Sequence, residues 1–83
     1  MMVSPEWYRE EQLNGKTAAQ IEAIIRSLKE EIARLQKVVA NPMEYPREWR
    51  ICPDPEVQLK MYRLYLHQAR EALTDAKKRR SIE

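Results

Sequence analysis

Ala18, Ile21, Ile25, Leu28, Ile32, Leu35 and Val39 follow one another at alternating steps of three and four. That spacing puts all of them on one face of a single helix. Thr17 precedes the run with Gln20 three residues on, the arrangement of a capping box. Asn41-Pro42 closes it, because the residue before a proline is driven out of the helical region. A helix is therefore predicted over 17–40. On its solvated side Glu22, Arg26, Glu30 and Arg34 alternate in sign one turn apart, each pair worth about 0.3 kcal/mol.

A second seam runs through Leu59, Tyr62, Leu66, Ala69, Leu73 and Ala76, flanked by Tyr65 and Ala72. Asp54-Pro55-Glu56 supplies its cap, its first helical residue and an acid at the positive end of the dipole, so a helix is predicted over 55–78. Val57, Met61 and Leu64 stand on the side opposite the seam. The first half of this helix is thus apolar nearly all round and calls for cover on more than one side. Ser4-Pro5-Glu6 repeats the same start, and Gly15 follows Leu13-Asn14 as a helix stop. A short helix over 5–13, carrying Trp7, Tyr8 and Leu13, is expected.

Between the long helices, 41–54 exceeds the roughly two to eight residues usual in bundles. It holds Tyr45, Trp49, Ile51 and Cys52, too much apolar surface for a disordered tether, so an ordered loop is predicted. The fold expected is all-α: a single helical domain, 1–83, with a short N-terminal helix and a long antiparallel helical hairpin, followed by a basic tail over 77–83.

Self-association is the next expectation. With Ile25 as an a position, the β-branched a residues and leucine-rich d residues suit a parallel two-stranded coiled coil. Ile24 and Val38 at g positions argue instead for a bundle helix with two neighbours. The self-association seam is read as Ile21, Ile25, Leu28, Ile32, Leu35 and Val39 against Tyr62, Leu66 and Leu73. Eighty-three residues bury only about 60% of their unfolded surface, so a homodimer forming a four-helix-type bundle is the favoured state.

Composition narrows the function classes. Charged residues make up 34% of the chain, and the net charge is only +2, which gives no general drive towards nucleic acid or membrane. No apolar run is long enough to span a bilayer. The single cysteine, Cys52, excludes an intrachain disulfide and fits a cytoplasmic setting. The segment 1–15 carries Glu6, Arg9, Glu10 and Glu11 and no apolar core, which argues against a signal peptide.

Candidate chemistry is sparse. His67 and Glu71 lie one turn apart, but Leu64 stands where a Glu-x-x-His metal motif needs its glutamate. Cys52 has no fixed cation to activate it. Small helical enzymes for anionic substrates need inward cations, and the apolar stripes hold almost none. No catalytic residue, cofactor site or metal site is assigned, and the chain is read as a non-enzyme.

Two contact surfaces remain. Tyr45, Arg47, Trp49 and Arg50 combine the residue types that dominate interface hot spots, so the loop is a candidate site for an unknown protein partner. The role favoured over this is to cap the open end of the bundle, with Trp49 and Ile51 covering Val57 and Met61, since long structured loops often pack on their own domain. Lys77, Lys78, Arg79 and Arg80 form a candidate phosphate contact, although cations in a last helical turn also stabilise the helix itself. The favoured function is a small non-catalytic protein-interaction or assembly module. The alternative is a nucleic-acid-associated accessory protein using that basic cluster.

Overall fold

The computed structural model describes the backbone of residues 2–82 and the side chains of residues 2–79, and all the regular structure in it is helical. Helix α1 spans Pro5–Tyr8 and continues as a π-helical turn, Arg9–Leu13. Helix α2 spans Ala18–Ala40 and α3 spans Pro55–Ile82. Each start is capped as its sequence dictates. Ser4 Oγ accepts the Trp7 N–H, and Thr17 and Gln20 bond reciprocally at 3.2 and 2.9 Å. Asp54 Oδ1 accepts the Val57 N–H at 3.0 Å.

Two boundaries differ from the sequence reading. The helix predicted to end at Lys78 continues to Ile82, so the basic cluster is helical and not a tail. No glycine or proline follows Pro55, and Lys and Arg are good helix formers that also favour a C-terminal turn. The short helix loosens after Tyr8: the Asn14 N–H bonds to the Arg9 carbonyl, five residues back. That wider turn carries Leu13 into the core, where it is 1% exposed. Gly15 then adopts φ +78°, which lets the chain reverse into α2.

Helices α2 and α3 form the antiparallel hairpin. One cluster of buried residues joins Leu13, Ile21 and Leu28 to Tyr65, Ala69, Ala72 and Ala76. A second joins Ile32, Leu35 and Leu59 at the loop end. The small alanines of α3 let the π turn sit against the hairpin at the first cluster, so three segments pack at one end. Only two helices and the loop pack at the other. The molecule is elongated, 52 × 20 × 13 Å, with a radius of gyration of 14.8 Å against roughly 12 Å for a compact chain of this length.

The cover expected over α3's first half is missing in part. Val57 and Leu64 remain 44% and 47% exposed, and Ile51 is 54% exposed. The loop folds the other way, over α2. The Trp49 indole N–H donates to the Val38 carbonyl at 3.4 Å, and Glu48 pairs with Arg34 at 3.2 Å. Val38 is one of the terminal carbonyls that the end of α2 leaves without a helical donor. It is also buried where Val39 is only half-covered, so the loop side of α2, not its a row, is sealed there.

Candidate assembly surface

The hairpin has two broad faces, and the described residues cover one of them. On the covered face, the rings of Tyr8 and Tyr65 stack with centroids 4.3 Å apart, and the Tyr65 hydroxyl donates to the Val3 carbonyl at 2.5 Å. Tyr62 meets Tyr65 edge-on at 5.8 Å. Burial raises the phenols of Tyr8 and Tyr65 above their ordinary pKa, and Tyr62 adds electrostatically in the same direction.

Arg9, on the π turn, reaches across to α3. Its guanidinium donates to Gln68 at 3.3 Å, Glu71 at 3.2 Å and Asp75 at 2.7 Å, side chains that share one edge of the helix. A groove of about 670 Å³ lies here, with Glu6, Glu10, Leu13 and Ala72 in its walls. Asp75 in its wall and Glu71 beside it pair with Arg9, which ties the π turn to α3. Arg34 plays a similar role at the loop end. Its hydrogen bond to Glu31, then that to Glu48, holds the guanidinium firmly charged.

Among the described residues, the opposite face has no such cover. Ile25, Val39, Leu66 and Leu73 are half-covered there, beside Ile32 and Leu59 at the margin of burial. In the antiparallel pairing these residues alternate between the helices, in the order Leu73, Ile25, Leu66, Ile32, Leu59, Val39. The two core clusters share Leu66, which joins the strip end to end. We call this the open face.

The residues of the predicted seam are therefore divided. Ile21, Leu28, Ile32 and Leu35 form the core between α2 and α3 of one chain. Ile25, Val39, Leu66 and Leu73 remain for the open face, and Tyr62 joins the tyrosine cluster. On α3 the buried line passes through Tyr65, Ala69, Ala72 and Ala76, so Tyr65 and Ala72 are central where the sequence reading placed them at the flank.

The other candidates scatter. In the loop, Trp49 and Tyr45 are half-buried while Arg47 and Arg50 are exposed, so Trp49 serves as a cap on α2. Lys77, Lys78 and Arg79 are exposed but point about 100° apart around the helix, which fans them out and does not build one patch. The Arg80 side chain lies outside the described residues. His67 pairs with Glu71 at 2.5 Å on the surface, and no three metal-ligating side chains come together among the described residues. Cys52 is exposed. No helix among the described residues is long and apolar enough to cross a membrane.

Sequence reasoning missed Arg9 and the Tyr8–Tyr65 stack. The only available signal was the aromatic and leucine content of the short helix, which shows that it packs but not where.

Comparison with protein-family models, with curated proteins and with solved structures gives no match to this chain.

Proposed function

We propose that this protein is a non-catalytic interaction module that assembles by adding helices to the open face of its hairpin, a second copy of the chain being the occupant in isolation. One observation carries the reading. The chain exposes 6169 Å², about 1,000 Å² more than the roughly 5,200 Å² expected for a compact monomer of 9.9 kDa. A standard interface removes about 800 Å² from each partner, close to that excess. The half-covered strip from Leu73 to Val39 is an apolar part of that surface that runs the length of the hairpin at helix-packing spacing, and two such faces make a four-helix bundle.

Sedimentation velocity across a micromolar concentration series tests this. A dimer that Leu66→Gln disrupts supports the reading. A monomer at every concentration, with no change for Leu66→Gln, overturns it.

A further inference from the structure

We propose that the open face also accepts an amphipathic helix with acidic flanks, which displaces the second copy; this rests on the docking reading above. The observation is the charge that borders the strip. Along the outer edge of α3, Glu56, Arg63, Arg70 and Lys77 recur every seven residues, beside Leu59, Leu66 and Leu73. The guanidinium groups of Arg63 and Arg70 are exposed and make no ion pair or hydrogen bond among the described residues. Along the outer edge of α2 the matching row is Glu22, Lys29 and Gln36.

A second copy fits the apolar strip better than it fits these edges. Two hairpins can meet face to face about a two-fold axis in two ways. With the axis along the helices, α2 lies over the other copy's α3. Lys29 of one copy then falls between Arg63 and Arg70 of the other, and each α2 edge brings one acid, Glu22. With the axis across the helices, α3 lies antiparallel over α3, so Arg63 meets Arg70 of the other copy while Glu56 meets Lys77. Both arrangements set like charges beside each other at the rim, which weakens the pairing without blocking it.

A single helix with Leu or Ile in its seam and Glu on both flanks sets no cation against a cation, and meets acids only at Glu22 and Glu56, the end positions of the two rows. Its acids lie against Arg63, Arg70 and Lys77 on one side and Lys29 on the other, the flank pairing that sets partner choice in helical assemblies. The homodimer is then a resting state that such a partner exchanges. A nucleic acid would answer the cations but leave the apolar strip uncovered.

Two synthetic helices of about three heptads test the proposal, identical in their Leu/Ile seam and carrying Glu or Lys at the flanking positions. Labelled peptide is titrated with the full chain, and sedimentation follows the dimer. The glutamate peptide is expected to bind at least about tenfold tighter than the lysine peptide at about 50 mM salt, and to convert dimer into a chain–peptide complex. That ratio should narrow at about 0.5 M salt, where screening is stronger. In Arg63→Glu/Arg70→Glu the preference should reverse, with the circular dichroism of the exposed double variant unchanged. Equal binding of both peptides, or a preference that the double variant leaves intact, overturns the acidic partner. Peptide binding and dimerisation that are both indifferent to Leu66→Gln would sink the docking reading as well, whereas loss of charge preference alone leaves it standing.

Discussion

Tyr8 and Tyr65 stack with 13° between their ring planes, the aromatic half of what fixes the N-terminal segment to the hairpin. Beyond the area it buries, a stacked aromatic pair contributes about 0.5–1.5 kcal/mol. Tyr8→Ala should therefore destabilise the chain by about 2 kcal/mol in urea unfolding followed by circular dichroism, and Tyr8→Phe by less than about 0.5 kcal/mol. Equal effects of the two substitutions would mean that the hydroxyl, and not the ring, does the holding.

The same cluster makes the chain sensitive to alkali. Burial raises the phenols of Tyr8 and Tyr65 in the folded state, Tyr8 also through Tyr62 and Tyr65. A raised pKa means that folding favours the protonated phenol. The stability this contributes is complete below the unfolded value near 10 and is lost as pH rises through the higher folded values. Stability measured from pH 8 upward should hold and then fall above about pH 10. Tyr8→Phe should flatten that fall, and an unchanged profile would show that the tyrosines do not govern it.

Arg9 is the polar half of the same attachment. Its bonds to Gln68, Glu71 and Asp75 lie at a surface, with the Arg9 side chain 35% exposed, so screening limits their worth. Arg9→Met keeps the aliphatic stem and should cost no more than about 1 kcal/mol at low salt. The difference from the parent chain should shrink in about 0.5 M salt. A salt-independent loss would instead assign Arg9's role to packing.

The hairpin was legible because both long helices carry periodic apolar faces between strong caps. Thr17 with Gln20, and Asp54 with Pro55, mark starts that the backbone obeys. The exact facing was less legible. On α3 the candidates Tyr62, Tyr65, Leu66, Ala69, Ala72 and Leu73 cover a wide arc, and periodicity alone cannot choose a centre within it. The choice falls on the alanines because the π turn must sit close to α3, and Leu13 occupies the space their short side chains leave. A π turn has no sequence signature in so short a helix, so neither Leu13's depth nor Arg9's reach could be read beforehand. The loop shows the same limit. Its aromatic content predicts order, but the direction of its fold depends on Val38's free carbonyl and on Arg34, features of the finished α2 helix.

Trp49 separates capping from recognition. Trp49→Phe keeps a ring over Val38 but removes the indole donor at 3.4 Å, a long bond whose loss should cost about 0.5–1 kcal/mol. Trp49→Ala removes the ring as well and should cost more, with fraying at the end of α2 visible as faster amide exchange at 37–40. Partner binding lost in Trp49→Ala at unchanged stability and exchange would contradict the capping role.

Leu35 and Leu66 then distinguish folding from assembly within one hairpin. Leu35 is fully buried between α2 and α3, and Leu35→Ala should cost about 2–5 kcal/mol at any protein concentration. Leu66 is half-covered on the open face, so Leu66→Gln removes less packing within the chain. Its larger effect should fall on association, because stability that comes from a partner depends on concentration through mass action. For the parent chain the unfolding midpoint should rise with protein concentration; for Leu66→Gln it should stay nearly flat; for Leu35→Ala it should fall overall but keep its slope. Parallel slopes in all three would place Leu66 in the fold and remove it from the assembly surface.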